Sequence, residues 1–214
     1  MSRVVSVVDY GVGNLLSVAR AFEHCGAKVE FADTPKQISQ AGLVVLPGVG
    51  AFANGMTELR SRSLDQSVID FAKSGRPLLG ICLGMQMLLS ASEEFGKHAG
   101  LGIVPGRVKA IPPLGTDGKP HKIPHIGWNA LQLPQGRGTW DKTVLENIAP
   151  GATVYFVHTY TAVPDDSEHR LADCYYDGEL ISAAIQAGNV FGCQFHPEKS
   201  GDVGLRVLES FIRL

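Results

Sequence analysis

In the stretch RPLLGICLGMQMLL, residues 76–89, the pattern changes from strand-like to helix-like at a single cysteine, Cys82. The short apolar run PLLGI is typical of a buried strand, and the residues after Cys82 follow a helix-like pattern. Gly80 and Gly84 flank the cysteine, and residues without a side chain let a strand and a helix approach closely. The motif therefore predicts a nucleophile elbow, a tight turn that exposes a reactive side chain, with a thiol in place of the serine.

The environment of Cys82 favours a reactive thiol. A helix that begins just after it would point free N–H groups at the sulfur and favour the thiolate, which is the nucleophilic form. The alternative is a buried structural cysteine, the commonest fate of a lone Cys. Cys25, Cys174 and Cys193 lie on apolar runs and fit that alternative, whereas only Cys82 has a glycine two residues away on each side.

The rest of the chain predicts an α/β fold. In the first half the β-branched apolar runs VVSVVD, VEFA and GLVVLPG alternate with helical patterns, which is typical of the βα units of a parallel sheet. After about Gly100 come short extended runs separated by Gly- and Pro-rich turns, which favour antiparallel strands, and then a last amphipathic helix. We expect a single mixed-sheet domain over residues 1–214, a parallel βα half followed by a more antiparallel half.

Composition and charge exclude several classes of protein. The net charge is -2 and no block of Lys or Arg occurs, which argues against a nucleic acid or a membrane as partner. The 4 cysteines form no C-x-x-C pair, which argues against a zinc knuckle or a disulfide framework and favours the cytoplasm. The first apolar run ends at Asp9, too short for a signal peptide, and none reaches the ~18 residues of a membrane span.

A cysteine nucleophile needs a base, and the segment QFHPE supplies a histidine with a carboxylate two residues on. In an extended segment His196 and Glu198 project to the same face, and Pro197 favours an extended conformation at His196. For an arbitrary H-x-E sequence, a strand-end histidine and a solvated glutamate would be the better interpretation. Here the H-P-E segment lies at the end of a predicted strand and downstream of the elbow, and this position strengthens the catalytic interpretation against the structural one.

An oxyanion formed by attack of the thiolate needs backbone N–H donors. The amide of Leu83, directly after Cys82, is one candidate. The loop PGVG at residues 47–50 follows the third strand, and its glycines allow the amide of Val49 to turn toward the thiol. The alternative is an ordinary strand-to-helix turn.

Two other motifs are weak. Residues 11–16 resemble a dinucleotide fingerprint, but Leu16 stands where close helix packing requires Gly or Ala. His121 and His125 have helical spacing for a metal, but Pro124 lies between them, so we expect a loop there.

Together, GICLGMQ, PGVG and HPE resemble the triad-type (class I) glutamine amidotransferases, a family of glutamine-hydrolysing domains with a mixed α/β fold. Within it, DYGVGN, LPGVGAF, HIGWN, YFVHTY and QFHPEKS are similar to the glutaminase subunits of imidazole glycerol phosphate synthase, an enzyme of histidine biosynthesis. The likeness runs from Asp9 to Ser200 and on to the end of the chain. It shows no departure at a catalytic position.

The resemblance implies a role for each motif residue. Cys82 would be the nucleophile, His196 the general base and acid, and Glu198 the group that orients the histidine. Val49 and Leu83 would supply the oxyanion donors. Further residues implied to contact substrate glutamine are Gly48, Gln86 and Glu94, with Glu93 as the rival of Glu94.

The resemblance also implies a partner and no cofactor. The partner would be a (β/α)8 cyclase subunit in a heterodimer, which receives ammonia from this chain. Hydrolysis would be slow until the partner binds its ligand, which fits a Val49 amide that must turn. The residues implied to lie near the partner or the ammonia exit are Asn14, Trp128, Tyr160 and Lys199.

Three other functions compete with this one. The nearest is another amidotransferase of the same class, serving pyridoxal phosphate, anthranilate or guanylate synthesis, which only the partner-facing motifs distinguish. A cysteine hydrolase that acts on esters or peptides is a second alternative. The third is a binding subunit without catalysis, which an intact Cys82, His196 and Glu198 make improbable.

Overall fold

In the computed structural model, which describes residues 3–214, parallel strands and helices alternate up to the cysteine and a second, mostly antiparallel region follows. The predicted domain start at residue 1 lies outside the described residues. The helices are α1 (Leu15–His24), α2 (Pro35–Gln40), α3 (Phe52–Ser61), α4 (Asp65–Lys73), α5 (Leu83–Met87) and α6 (Gly201–Arg213). The strands are β1 (Val4–Val8), β2 (Lys28–Ala32), β3 (Leu43–Leu46), β4 (Leu78–Ile81), β5 (Leu89–Ser92), β6 (His98–Ala99), β7 (Val104–Ala110), β8 (His125–Ala130), β9 (Thr153–His158), β10 (Tyr160–Pro164), β11 (Arg170–Tyr176), β12 (Glu179–Ala187) and β13 (Val190–Cys193).

The central sheet has seven strands in the order β11-β12-β13-β4-β3-β1-β2. The five strands from β13 to β2 are parallel, and β11 and β12 pair antiparallel at the other edge. A four-stranded sheet, β10-β7-β5-β6, and a two-stranded antiparallel sheet, β8-β9, complete the fold. The predicted mixed α/β class, with its parallel first half, is confirmed.

The sheet is buried on both faces because successive side chains of a strand point to opposite sides. In β3, Leu43 and Val45 pack in one apolar cluster, and Val44 and Leu46 pack in the other. The first cluster includes residues of α1 and α6, whereas the second includes residues of α2, α3 and α4. Helices therefore cover both faces, as in other doubly covered parallel sheets.

The second half differs from the prediction in three places. The strand β13, predicted among antiparallel strands, is antiparallel to β12 but parallel to β4, and its four residues are all buried. The run ATVYFVHTY forms two strands in different sheets, β9 and β10, which separate at Thr159. His125, predicted in a loop, begins β8. The prediction was wrong because the partner strand β9 lies far downstream and leaves no local signal in the sequence around His125.

The topology brings three chain segments to one edge of the sheet. The strand β4 lies between β3 and β13, and all three run in the same direction. Their carboxyl ends lead into the loop at residues 47–50, into Cys82 and into the segment before His196. This is the edge at which open α/β sheets bind ligands. Among residues 3–214, no helix is long and apolar enough to cross a membrane.

Candidate active site

Cys82 sits in a strained turn between β4 and α5. Its φ of 53° and ψ of -110° place a residue with a side chain in a region that favours glycine. The Cys82 amide donates a hydrogen bond of 2.7 Å to the carbonyl of Cys193, so the neighbouring strand holds the turn in place. The strand-to-helix turn predicted from the sequence is confirmed.

The two glycines of the motif are required by packing. A Cβ atom on Gly84 would overlap the carbonyl oxygen of Leu46 at the end of β3. A Cβ atom on Gly80 would lie 2.7 Å from the amide nitrogen of Met85. Bare backbone at both positions therefore lets the first turn of α5 press against the sheet, which leaves the Cys82 side chain facing the cavity beyond.

His196 and Glu198 form a buried pair beside Cys82. The Nδ1 atom of His196 lies 2.8 Å from Oε1 of Glu198, and the two side chains are 3% and 1% exposed. A carboxylate only accepts, so Nδ1 carries the proton and Nε2 is the nitrogen left for other partners. His196 and Cys82 line the same cavity of about 300 Å³, which has the size of a small-molecule site.

The charges around His196 favour the imidazolium. Burial by itself lowers the pKa of His196, but the Cys82 thiolate and the Glu198 carboxylate outweigh it and raise the pKa to about 9. At neutral pH His196 is therefore protonated, and it lies beside the sulfur of Cys82. Such a pair can deliver a nucleophile and a proton to the same substrate.

The cavity separates the two glutamates that the sequence left open. Glu94 lines it, and its Oε2 accepts a hydrogen bond of 2.6 Å from the amide of Phe52 at the start of α3. Glu93 lies outside the cavity and faces Arg107 at 3.7 Å across a largely exposed ion pair. Gln86 is also in the cavity wall, where its Nε2 donates to the carbonyl of Tyr160 at 3.0 Å.

The predicted oxyanion donors are not both free in this structure. The amide of Leu83 donates to the carbonyl of Gly48 at 3.3 Å. The Gly48–Val49 peptide therefore presents an oxygen where the prediction requires an N–H. Val49 lines the cavity and is 39% exposed, and the preceding Pro47 carbonyl accepts a hydrogen bond of 2.8 Å from the buried Tyr10 hydroxyl.

The four residues predicted near a partner divide into two groups. Tyr160 lines the cavity and packs edge to face with Phe95, whose side chain is 87% exposed. Asn14, Trp128 and Lys199 lie outside the cavity wall. Of these, Trp128 is a largely exposed aromatic residue on β8 that packs against Tyr155.

Sequence reasoning missed a histidine in the cavity wall. The Nδ1 atom of His158 lies 2.9 Å from the Tyr160 carbonyl, and its Nε2 lies 2.9 Å from Nδ1 of His125. A carbonyl only accepts, so His158 donates through Nδ1 and accepts from His125 through Nε2. Burial lowers the pKa of His158 to about 3 and that of His125 to about 4, so both are neutral. The motif YFVHTY was the available signal, but it did not indicate which way the histidine points.

The family model described as "Glutamine amidotransferase class-I" matches residues 6–213. The chain belongs to the class-I glutamine amidotransferases. This amidotransferase is 53% identical over 210 residues to the imidazole glycerol phosphate synthase subunit HisH 1 of Legionella pneumophila (strain Lens), with 98% of this chain and 99% of the relative covered. It is 43% identical over 208 residues to the HisH subunit of Geobacillus sp. (strain WCH70), with 97% and 95% covered.

Solved structures share the fold of this amidotransferase. One titled "Crystal structure of glutamine amidotransferase" has a TM-score of 0.72 at 15% identity, with 98% of this chain and 99% of that chain covered. The structure of PurLQS from Thermotoga maritima has a TM-score of 0.71 at 19% identity, with 100% and 99% covered. At these identities the likeness concerns the fold alone.

Proposed function

We propose that this amidotransferase is the glutaminase subunit of an imidazole glycerol phosphate synthase. It hydrolyses L-glutamine to glutamate and ammonia and passes the ammonia to a cyclase subunit. The observation that carries the proposal is the buried His196–Glu198 pair that faces the same cavity as Cys82. The similarity to HisH subunits over nearly the whole chain supports the choice of pathway.

The first half of the reaction forms a thioester. The Cys82 thiolate attacks the side-chain amide carbon of glutamine, and the carbonyl oxygen becomes an oxyanion. His196, protonated at Nε2, gives that proton to the amide nitrogen as the C–N bond breaks and ammonia leaves. Glu198 keeps the ring oriented and stabilises its positive charge, the role of the carboxylate in other triads.

The second half releases glutamate. His196, now neutral, takes a proton from a water molecule that attacks the thioester carbon. The C–S bond then breaks, and Cys82 returns to the thiolate. The chain's own residues supply the nucleophile, the acid and the base, so the proposal needs no cofactor.

Substrate contacts follow from the cavity wall. Glu94 has one carboxylate oxygen committed to the Phe52 amide, and we assign its other oxygen to the ammonium group of glutamine. Gln86 uses its amide N–H groups inside the protein, on the Tyr160 carbonyl and on Gln194, so its oxygen is the atom that it can offer to a substrate N–H.

The oxyanion hole requires one peptide to turn. Leu83 becomes a donor once the Gly48 carbonyl leaves it, and rotation of the Gly48–Val49 peptide also brings the Val49 N–H toward the sulfur. Removal of one such donor in other enzymes costs about 2.7 to 4 kcal/mol of barrier. We therefore propose that the isolated chain is slow and that a (β/α)8 cyclase subunit, bound in a heterodimer, favours the turned peptide.

Exposed apolar side chains near the cavity support a partner at this face. Val49 and Tyr160 line the cavity, and Phe95, which contacts Tyr160, is 87% exposed. Exposed aromatic residues are enriched in protein interfaces. We assign Trp128, Asn14 and Lys199 to the same interface or to the ammonia exit.

The four cysteines are free thiols, which supports a cytoplasmic location for the one-domain chain.

Glutamine-dependent synthesis tests this function. The chain is mixed with a histidine-pathway cyclase subunit and its nucleotide substrate, and imidazole glycerol phosphate is measured with either glutamine or an ammonium salt as nitrogen source. We expect Cys82→Ser to abolish the glutamine-dependent reaction and to leave the ammonium-dependent reaction intact. Cys25→Ser, which changes a thiol outside the cavity, is the matched control. Glutamine-dependent synthesis by Cys82→Ser would overturn the proposal.

A further inference from the structure

Gln194 is a fully buried polar residue that lies two positions before His196. Its backbone amide donates to the Ala183 carbonyl at 2.9 Å, which extends the pairing of β13 with β12. Its side-chain Nε2 lies 3.8 Å from Sγ of Cys82, a distance suited to an N–H···S hydrogen bond. The thioester mechanism leaves the Gln194 side chain without a role.

A chain of hydrogen bonds fixes which end of the Gln194 amide faces the sulfur. The Tyr160 carbonyl only accepts, so the group of Gln86 at 3.0 Å from it is the NH2. The same Gln86 nitrogen lies 3.0 Å from Gln194, so Gln194 presents its Oε1 there. Its NH2 is therefore the end that faces Cys82.

The carbonyl that begins this chain is itself held by a second donor. His158 Nδ1 lies 2.9 Å from the same Tyr160 oxygen, and His125 holds the other side of the His158 ring. The Tyr160 carbonyl therefore accepts from both Gln86 and His158. If the amide of Gln86 turned over, its oxygen would face this carbonyl and a buried hydrogen bond would be lost. That loss would be the cost of turning the Gln194 NH2 away from the sulfur.

We propose that Gln194 donates a hydrogen bond to the Cys82 sulfur and stabilises the thiolate before substrate binds. A thiolate is a far better acceptor than a thiol, and hydrogen bonds to charged groups are roughly twice as strong as those between neutral groups. Gln194 thus stabilises the thiolate by a hydrogen bond, whereas His196 transfers protons during the reaction. This role rests on the proposed assignment of Cys82 as nucleophile.

The alternative is that Gln194 only satisfies buried hydrogen bonds. Two substitutions separate these roles. Gln194→Glu keeps an acceptor for Gln86 but replaces the donor with a carboxylate oxygen, and Gln194→Met removes both groups at similar volume. Gln186→Glu, on β12 and outside the cavity wall, adds the same charge away from the sulfur and serves as the control.

The test is the pH profile of Cys82 alkylation by iodoacetamide in the whole chain, measured by mass spectrometry of the peptide that carries Cys82. We expect the midpoint for both Gln194 variants to move upward by about one pH unit, with a fall of about tenfold in alkylation rate at pH 7. Far-UV circular dichroism and the Tm identify folded variants. An unchanged midpoint in either folded variant, even with a lower Tm, would overturn the role of Gln194.

Glutamate release in the complex with the cyclase subunit adds an independent readout. We expect Gln194→Glu to lower kcat at least about tenfold, with KM changed only a few-fold, because the donor acts on the nucleophile. Alkylation requires no glutamine, so it still decides the role of Gln194 if wild-type protein releases no glutamate. The absence of glutamate release by the wild-type complex would contradict the proposed function, but it would not contradict the contact between Gln194 and the thiolate.

Discussion

The amide of Leu83 donates a hydrogen bond of 3.3 Å to the carbonyl of Gly48, so the loop at residues 47–50 occupies the backbone donor that directly follows Cys82. The loop is held at its base, where the Tyr10 hydroxyl donates to the Pro47 carbonyl, and Gly50 near its tip has a φ of 92°, a conformation that glycine adopts without strain. Rotation of one peptide between these points would free Leu83 and turn the Val49 N–H inward. Cys82 and His196 thus already face one cavity, and in the proposed mechanism only the oxyanion donors must still turn toward it.

Replacement of Glu198 tests the buried pair. In Glu198→Gln the charge next to Nδ1 is lost and the ring can adopt the wrong tautomer. We expect kcat for glutamine hydrolysis in the complex to fall by about 100-fold or more. Measurement of glutamate release with the partner present checks this, and a fall of less than about threefold would contradict the role of Glu198.

The two adjacent glutamates offer a paired substrate test. Glu94→Gln removes the charge that we assign to the substrate ammonium, so we expect KM for glutamine to rise about tenfold. Glu93→Gln changes an exposed residue outside the cavity and should leave KM within about twofold. Steady-state kinetics of both variants decide the assignment, and a larger effect from Glu93 would reverse it.

Packing at the elbow predicts a large loss of stability at one glycine. In Gly84→Ala the new methyl overlaps the Leu46 carbonyl, so β3 and α5 must separate. We expect the free energy of unfolding to fall by about 3 kcal/mol or more. Gly42→Ala is the matched control, because a Cβ atom there meets nothing within 4 Å. Urea unfolding curves would contradict the packing account if the two variants were equally stable.

The neutral histidines predict a loss of stability in acid. Burial lowers the pKa of His158 to about 3 and that of His125 to about 4, whereas both titrate near 6.5 in the unfolded chain. Below pH 6.5 the unfolded state therefore binds more protons, and the stability present above that pH is lost as the pH falls toward 4. Each histidine contributes up to about 1.4 kcal/mol per pH unit to the slope.

Urea unfolding at pH 7.5, 6.0 and 5.0 measures that slope. We expect it to decrease in His158→Gln, which removes one of the two titrating rings, and to persist in His24→Gln, which changes an exposed histidine. Equal slopes in all three proteins would show that the buried rings do not govern acid sensitivity.

The sequence predicted the features that depend on local pattern. The glycines around Cys82 required a tight turn, the apolar runs up to residue 81 required a parallel sheet, and the H-P-E spacing required a side-by-side His and Glu. Each of these patterns involves residues that are close together in the sequence, so each can be recognised from the sequence alone. The turn at Cys82 and the pairing of His196 with Glu198 both occur in the structure.

Features that depend on contacts between residues far apart in the chain could not be predicted from the sequence. The strand β8 forms against β9 only after a long intervening loop, and the break at Thr159 depends on two different sheets. The contact between Gln194 and Cys82 joins residues that are 112 positions apart, through the adjacency of β13 and β4. The occupied Leu83 amide likewise arises from the approach of a loop on a neighbouring strand.

The most direct measurement is glutamate release from L-glutamine by the chain alone and by the chain mixed with the cyclase subunit and its nucleotide ligand. We expect a low rate alone and a rise of about tenfold or more in the complex, because in the proposed mechanism the partner favours the turned Gly48–Val49 peptide. A high rate from the isolated chain that the partner leaves unchanged would contradict it.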